Sequence, residues 1–294
     1  EKAKQFGIHV QVGVILPKNV GLVRYMTITY EGTKLLDELK DVIHDIMGLS
    51  TLQERVKNKL GIKKVLLVSG SFDDNNSLIK DVARCGSEYF LSVLKDGYTV
   101  SITGGSTMLE FSNSIKTDKK YNNVTVIPAR GSMGKDVETQ SNNIVATTSR
   151  KLHSQYKLLN IPDHLGEESM KMLSQEPEIK NTLEFIQKTD ILVFGIGKAD
   201  EMAKRRRIPE DKVNEIISKG AVGEAFGHYF NEEGEIVYKL NTIGIDLETF
   251  KNVKESIAIF AGKGKADALI ALANINKNIV LITDEDSAQA ILSQ

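Results

Sequence analysis

The sequence predicts an α/β fold in which a mostly parallel sheet is covered by helices on both faces. From Lys64 onward, strand-like and helix-like segments alternate along the chain. The strand-like segments are almost continuously apolar, which is typical of parallel strands that are buried on both faces. With 294 residues, of which 41% are hydrophobic and 26% charged, the chain has the composition of a globular protein with one large core and an appendage.

Seven segments have the apolar composition and the length of buried strands. They are KVLLVSG (64–70), YTVSIT (98–103), VTVIPA (124–129), YKLLNI (156–161), DILVFGIG (190–197), SIAIFAG (256–262) and NIVLIT (278–283). Helical periodicity predicts helices between several of them, at 77–97, after the glycines at 104–105, at 209–220 and at 266–275. Residues 224–240 contain two apolar segments around NEEG, which predicts an antiparallel hairpin at the edge of the sheet or over its upper rim.

The first 63 residues have a different pattern. GLVRYMTITYEGTKLL (21–36) predicts a short strand, a turn and a second strand leading into a helix at 33–47. That helix carries an apolar stripe, typical of a short coiled-coil seam or of a helix packed on a domain, formed by Leu36, Leu39, Val42 or Ile43, and Ile46. A second helix at 51–61 starts with Thr51 and Glu54 in capping-box register and ends at Gly61.

Composition excludes several classes of protein. Cys85 is the only cysteine, so an internal disulfide and a cysteine-based zinc module are excluded, and a reducing cytoplasm is expected. The net charge of −1 argues against a chain-wide nucleic-acid surface, and the one dense basic run, KRRR (204–207), is equally compatible with a solvated loop or helix end. No apolar run approaches the roughly 20 residues that span a bilayer, so no membrane partner is expected. The start shows no signal-peptide pattern, and Glu1 in place of Met is compatible with a fragment.

The turn TGGST, between the second predicted strand and its helix, is a candidate anion site. It lies at the carboxyl end of a strand, where open α/β sheets bind their ligands. Gly104 and Gly105 would let the backbone approach a ligand closely and adopt positive φ. Ser106 and Thr107 would lie at the helix N-terminus, where hydroxyl and N–H groups favour a phosphate. The alternative is a tight turn that Ser106 caps.

Cations follow other predicted strands at the same edge. Arg130, which could pair with phosphate in bidentate fashion, follows VTVIPA, while KADEMAKRRR follows DILVFGIG. Lys263 or Lys265 follows SIAIFAG, just before another helix. None of these turns has the G-x-x-x-x-G-K-[ST] or G-x-G-x-x-G pattern of nucleotide and dinucleotide sites. The pattern favours a small, doubly anionic metabolite.

Catalytic patterns are sparse. Glu224 and His228 are four residues apart in a strand-like segment, where a structural role for His228 is favoured over acid–base catalysis. The other histidines show no spacing that suggests metal ligation. An enzyme remains an alternative because Glu224 and His228 could supply an acid and a base. A purely structural oligomerisation domain would not explain glycines and cations at three strand ends.

Six motifs in order resemble the effector-binding domain of SorC-type bacterial transcriptional regulators: TGGST, VIPARG, ETQSNNIVA, FGIGKADEMAKRRR, GEAFGHYFNEEGEIV and AGKGKADALIALA. The resemblance runs from about residue 45 to the end. It implies a Rossmann-like domain, related to sugar-phosphate isomerases, deaminases and CoA transferases, that senses a ligand. The implied effector is fructose-1,6-bisphosphate, with other glycolytic sugar phosphates as weaker ligands and no cofactor.

The resemblance also implies which residues bind the effector. The phosphates are assigned to Gly104, Gly105, Ser106, Thr107, Arg130, Arg205 and Lys265, and the sugar hydroxyls to Gln140 and Glu224. The division is chemically reasonable, because cations bind phosphates well, whereas a carboxylate and an amide form hydrogen bonds with hydroxyl groups. The choice of Lys265 over Lys263, and of Arg205 over Arg206, follows the family pattern only.

A cytoplasmic repressor of glycolytic genes is the function that the resemblance implies. It would bind operator DNA through its N-terminal domain as a homodimer or tetramer, and the effector would modulate that binding. Residues 1–45 would be the remnant of a winged helix-turn-helix and its linker helix, and residues 46–294 the sugar-phosphate effector-binding domain. Residues 1–20 show no helix-turn-helix pattern. The alternative is a sugar-phosphate isomerase or deaminase on the same fold.

Overall fold

The protein structure, a computed structural model, describes residues 15–20, 23–29, 32, 35, 39, 48–132, 136–162 and 165–294. The chain divides into two compact units, Glu1–Thr51 and Leu52–Gln294. In the first unit, β1 (Ile15–Val20) pairs antiparallel with β2 (Val23–Ile28). Gly32, Leu35 and Leu39 are helical.

The predicted strand–turn–strand of residues 21–36 is wrong in its boundaries, because the hairpin lies earlier in the chain. Its first strand, ILPKNV, contains a proline and polar residues, so its composition alone gives little strand signal. Pairing with the more β-prone β2 makes it a strand. Most of the predicted helix at 33–47, including Leu36, Val42, Ile43 and Ile46, lies outside the described residues.

From Leu49 onward, strands and helices alternate as the sequence predicts. In chain order they are α1 (Leu49–Leu60), β3 (Lys64–Val68), α2 (Leu78–Val93), β4 (Thr99–Ile102), α3 (Ser106–Ser114), β5 (Thr125–Pro128), a 3-10 turn (Val137–Thr139), α4 (Ser141–Leu152), β6 (Gln155–Tyr156), α5 (Glu167–Leu173), α6 (Pro177–Gln187), β7 (Ile191–Phe194), β8 (Gly197–Lys198), α7 (Ala199–Arg205), α8 (Glu210–Ser218), β9 (Gly223–Ala225), β10 (His228–Phe230), β11 (Ile236–Lys239), α9 (Leu247–Asn252), β12 (Glu255–Ile259), a second 3-10 turn (Lys263–Lys265), α10 (Ala266–Ile275), β13 (Ile279–Asp284) and α11 (Glu285–Ser293).

The main sheet has seven strands in the order β3-β13-β12-β7-β4-β5-β6, and every neighbouring pair is parallel. The predicted parallel sheet is therefore confirmed. From β4 the chain adds β5 and β6 on one side, and then returns to place β7 on the other side of β4. The direction of winding thus reverses between β4 and β7, and a crevice is expected beyond the carboxyl ends of these two strands.

Helices pack on both faces of this sheet, as the near-continuous apolar strands predict. On one face, Val100 and Ile102 of β4 join an apolar core with Phe111 of α3. Side chains alternate along a strand, so Ser101 points to the other face. There its hydroxyl lies 2.6 Å from the hydroxyl of Thr189, which follows α6. Within the described ranges, no helix combines the length and the apolar character needed to cross a membrane.

Several predicted boundaries differ from the structure, most clearly those of α1, α2 and β6. Helix α1 starts at Leu49, directly after Gly48 with φ of 71°, so Thr51 lies inside the helix and is not its cap. Helix α2 ends at Val93, before the predicted Gly97. Strand β6 has two residues in place of the predicted six, because the chain leaves the sheet early and the N–H of Leu159 donates to the Asn142 side chain at 3.0 Å.

A second, four-stranded sheet has the order β11-β10-β9-β8, with antiparallel pairing throughout. The antiparallel hairpin predicted at 224–240 is confirmed in β10 and β11, and β9 extends it. Of the two placements predicted for this hairpin, the one at the edge of the main sheet is wrong, since its strands belong to the separate sheet, and the one over the upper rim remains. Tyr229, fully buried, anchors the small core of this sheet together with Ala203 and Ile216.

Candidate ligand-binding site

A cavity of about 520 Å³ opens at the carboxyl edge of the main sheet, where the strand order reverses. Residues that follow β4, β5 and β7 line it, and β9 of the second sheet lies over the rim and contributes to the wall. All nine residues that the sequence predicts as ligand-binding line this one cavity: Gly104, Gly105, Ser106, Thr107, Arg130, Gln140, Arg205, Glu224 and Lys265. The structure thus brings the predicted positions together, and their contacts with a ligand stay a prediction.

The two glycines after β4 have different roles. Gly105 adopts φ of 118°, a conformation that other residues rarely take, and its N–H donates to the Thr139 carbonyl at 2.8 Å. Gly104 does not adopt positive φ, which corrects the prediction for this residue. It is needed for close packing, because a Cβ atom there would lie 2.8 Å from the Thr139 carbonyl oxygen and 3.3 Å from the Ser141 nitrogen.

Helix α3 begins at the cavity wall. Its N-cap is Gly105, and no side chain caps it, so the alternative prediction of a turn capped by Ser106 is wrong. Ser106 is exposed and Thr107 half-buried, and both line the cavity. The first N–H groups of an α-helix have no partner inside the helix and carry partial positive charge. Hydroxyl groups beside such N–H groups are an arrangement that favours an anion such as phosphate, and phosphate binding here stays a prediction.

Replacement of Gly104 by alanine is expected to weaken this wall. The added methyl group has to displace Thr139, whose carbonyl holds Gly105, and overpacking of this kind costs about 1–3 kcal/mol. Urea unfolding measures the loss. Gly264→Ala is the matched control, since a Cβ at that exposed glycine would lie no closer than 3.7 Å to a neighbouring atom. Equal stability of the Gly104→Ala and Gly264→Ala proteins contradicts the close packing of this turn.

A buried carboxylate organises the opposite wall. Glu224 Oε1 accepts hydrogen bonds from Arg130 Nη1 at 3.0 Å, Arg206 Nη2 at 3.0 Å and the Gly227 N–H at 2.7 Å. Burial by itself raises the pKa of Glu224, but the charges of Arg206 and Arg130 outweigh it and the pKa lies below its ordinary value. The carboxylate is therefore ionised and holds both guanidinium groups in place.

Arg205 and Lys265 are the cations at the cavity without an ion-pair partner among the residues that the structure describes. Arg205 ends α7 and is exposed. The role of its neighbour Arg206, which pairs with Glu224, was not predicted. Three consecutive arginines give no periodicity signal that separates the one turned towards Glu224 from the others, so sequence reasoning had no means of finding it.

Lys265 ends the 3-10 turn after β12 and is half-buried. Burial lowers its pKa from the ordinary value, an effect that nearby Glu201 partly offsets. Lys263, two residues earlier, is absent from the cavity lining, and its exposed ammonium lies 4.0 Å from Asp73. The sequence pattern alone does not distinguish Lys263 from Lys265, whereas in the structure Lys265 lines the cavity and Lys263 does not.

His228 lies outside the cavity lining. Its Nδ1 atom is 3.1 Å from the Phe226 carbonyl oxygen, and burial, followed by the charge of Lys239, lowers its pKa. It sits opposite Ala225 on the neighbouring strand, so it does not pair with Glu224 across the sheet. These contacts agree with the structural role that was predicted for His228. Among the described residues, no group of three or more His, Cys, Asp or Glu side chains is placed to hold a metal ion.

Fold and site together define an α/β domain with a cavity at the carboxyl edge of its sheet, lined by glycines, hydroxyl groups and cations. Comparison with known proteins specifies the family. Residues 44–293 match the family described as "Putative sugar-binding domain". The chain is 37% identical over 272 residues to the central glycolytic genes regulator of Priestia megaterium and 35% identical over 267 residues to that of Bacillus subtilis, alignments that each cover 91% of this chain and 78% of the relative.

Solved structures agree with this assignment. The "putative SorC family transcriptional regulator" of Enterococcus faecalis superimposes with a TM-score of 0.75 at 32% identity, over 82% of this chain and 99% of that one. The full-length sorbitol operon regulator SorC of Klebsiella pneumoniae, at 15% identity, shares the fold with a TM-score of 0.75 over 82% of this chain and 80% of its own. The chain belongs to the sugar-binding domain family of SorC-type regulators.

Proposed function

We propose that this chain is the effector-binding part of a transcriptional repressor of glycolytic genes, and that its effector is fructose-1,6-bisphosphate. The relatives at 35–37% identity are central glycolytic genes regulators, which supports the regulatory role. Residues 46–294 form the sugar-phosphate effector-binding domain in this proposal. Residues 1–45 are the remnant of the winged helix-turn-helix and its linker helix, through which the full-length protein binds operator DNA as a homodimer or tetramer.

The observation that carries the choice of effector is the position of the two anion-binding groups. The helix start after β4 and Lys265 after β12 line the same cavity, and β7 lies between these two strands. Neighbouring strands are about 4.8 Å apart, so the two groups are separated by about 10 Å. A sugar with one phosphate at each end can bridge such a distance. A monophosphate can engage only one of the two groups at a time.

The sugar itself meets polar groups between these ends. The three hydrogen bonds that the structure describes for Glu224 all end on Oε1. Its Oε2 is therefore the acceptor that we assign to a sugar hydroxyl, together with the side-chain amide of Gln140. Arg130, fixed by Glu224, adds positive charge to the same wall.

The same contacts support sensing in place of catalysis. Two arginines hold Glu224 as a carboxylate, and His228 is off the cavity lining, so these two side chains do not face a ligand together as an acid–base pair. The effector shifts DNA binding only if it binds one state of the protein more tightly than another. We therefore expect no turnover of fructose-6-phosphate, glucosamine-6-phosphate or ribose-5-phosphate.

Calorimetry tests this proposal. Fructose-1,6-bisphosphate is expected to bind with micromolar or tighter affinity, ahead of fructose-6-phosphate and inorganic phosphate. Loss of one hydrogen bond to a charged group costs about 1.5–3 kcal/mol, so Thr107→Ala should weaken binding roughly 10- to 100-fold. Thr117→Ala, outside the cavity lining, is the matched control and should bind like the wild type. Failure of the wild type to bind any sugar phosphate overturns the proposed effector.

A further inference from the structure

A second buried carboxylate lies next to the cavity without lining it. Asp284 is the last residue of β13, and its side chain is fully buried. Strand β13 lies between β3 and β12, so its carboxyl end adjoins the turns that follow both neighbours. Within the described part of the chain, no lysine or arginine forms an ion pair with Asp284, whereas Glu224 is held by two arginines.

Backbone and hydroxyl groups hold the Asp284 carboxylate. Oδ1 accepts from the Gly262 N–H at 3.2 Å and from the Ser287 hydroxyl, and Oδ2 accepts from the Phe72 N–H at 3.0 Å. One carboxylate thus joins the turn after β3 to the turn after β12. A buried carboxylate that satisfies backbone donors from two separate turns restrains both turns strongly.

The turn after β12 is the one that delivers Lys265. Gly262 adopts φ of 99°, and the Lys265 N–H donates to its carbonyl at 3.2 Å, which closes the 3-10 turn. The Phe72 ring packs on the other side, where a Cβ at Gly262 would lie 3.3 Å from its Cδ1. The position of Gly262 therefore decides where the Lys265 side chain enters the cavity.

We propose that Asp284 is a positioning residue of the effector site, which holds the Gly262–Lys265 turn so that the Lys265 ammonium reaches a phosphate of the ligand. This inference rests on the proposed function and extends it to a residue that does not touch the ligand. Burial lowers the pKa of Lys265, and Glu201 opposes this change more than the charge of Asp284 does, so the main effect of Asp284 is on the position of the turn.

The adjacent residue supplies a matched control. Glu285 Oε2 accepts from the Gly70 N–H at 3.2 Å and from the Ser69 hydroxyl at 3.4 Å, and its Oε1 accepts from the Gln289 amide at 3.5 Å. Both carboxylates therefore hold the turn after β3, and only Asp284 also holds the turn after β12. If fixing the β3 turn were what matters, neutralisation of either carboxylate would weaken the site equally.

The test is a set of calorimetric titrations with fructose-1,6-bisphosphate. Asp284→Asn keeps one acceptor oxygen but turns an N–H₂ group towards a backbone N–H, and is expected to weaken binding about tenfold, the scale of one charge-assisted hydrogen bond. Glu285→Gln should bind within about twofold of the wild type. In a Lys265→Met background the Asp284→Asn effect should disappear, whereas in a Thr107→Ala background it should persist in full.

Other results of these titrations would overturn the proposal. Wild-type affinity of Asp284→Asn, alongside weakened binding by Lys265→Met, overturns the positioning role and leaves the proposed function intact. An equal loss with and without Lys265 shows a general structural effect and also overturns it. No binding by the wild type removes the proposed function and this inference together. Should Asp284→Asn not fold, Ser287→Ala, which removes one donor to the same carboxylate, is expected to give a smaller loss with the same dependence on Lys265.

Discussion

Replacement of Glu224 by alanine is expected to lower the free energy of unfolding by about 3–5 kcal/mol, because it leaves two buried guanidinium groups without the carboxylate they share. Arg130 and Arg206 both donate to the same oxygen of Glu224 at 3.0 Å, and all three side chains are at least nine-tenths buried. Guanidinium chloride unfolding, followed by circular dichroism, measures the change.

Glu215 provides the control for this substitution. It also accepts from two cations, Lys212 and Lys219, each at 2.8 Å, but 36% of its side chain is exposed against 3% for Glu224. Exposed ion pairs contribute little because water screens them. Glu215→Ala should therefore unfold close to the wild type. A similar small loss for Glu224→Ala would show that the buried cluster does not stabilise the fold.

Replacement of Lys265 by methionine is expected to weaken fructose-1,6-bisphosphate binding about 10- to 100-fold. Methionine keeps the length and apolar stem of lysine but removes the charge, and one charge-assisted hydrogen bond contributes about 1.5–3 kcal/mol. Lys263→Met is the control, since that lysine belongs to the same 3-10 turn but lies outside the cavity lining. Equal losses for both lysines would contradict the assignment of the phosphate to Lys265.

The pH dependence of binding tests the same lysine independently. Burial lowers the pKa of Lys265 below its ordinary 10.5, Glu201 and Asp284 oppose this change, and Arg205 adds to it. Phosphate binds the charged form of the lysine, so affinity is fully present below this lowered pKa and falls as the pH rises through it. The alkaline fall should begin below pH 10.5 and be absent from Lys265→Met. An unchanged alkaline limb in that variant would assign it to another group.

Much of the fold was predictable because the main sheet is buried on both faces. Strand β7 (ILVF) is apolar throughout, β13 begins with four apolar residues, and α10 falls on the predicted residues 266–275. The turn after β4 was predictable as well, since two glycines before two hydroxyl residues at a strand end have few structural uses. Apolar composition, helical periodicity and turn residues are all properties of neighbouring residues, so the sequence alone is sufficient to interpret them.

The remaining features depend on contacts between distant parts of the chain. The shortness of β6 depends on Asn142, which binds the backbone of Leu159 from a different element. The pairing of Glu224 with Arg206 requires β9 to lie over the crevice, and no composition or spacing specifies that position. The packing of Gly104 against Thr139 is likewise set by tertiary structure. For the same reason, Asp284 gives no sign in the sequence of its link to the Lys265 turn.

The decisive experiment is a crystal structure of the protein with fructose-1,6-bisphosphate. We expect the sugar inside the cavity, with one phosphate within hydrogen-bond distance of the Ser106 and Thr107 N–H and hydroxyl groups. The other phosphate should lie against Lys265 and Arg205, with Glu224 and Gln140 on the sugar hydroxyls. A ligand bound elsewhere, or one whose phosphates leave either the helix start or Lys265 unused, would contradict the proposed binding mode.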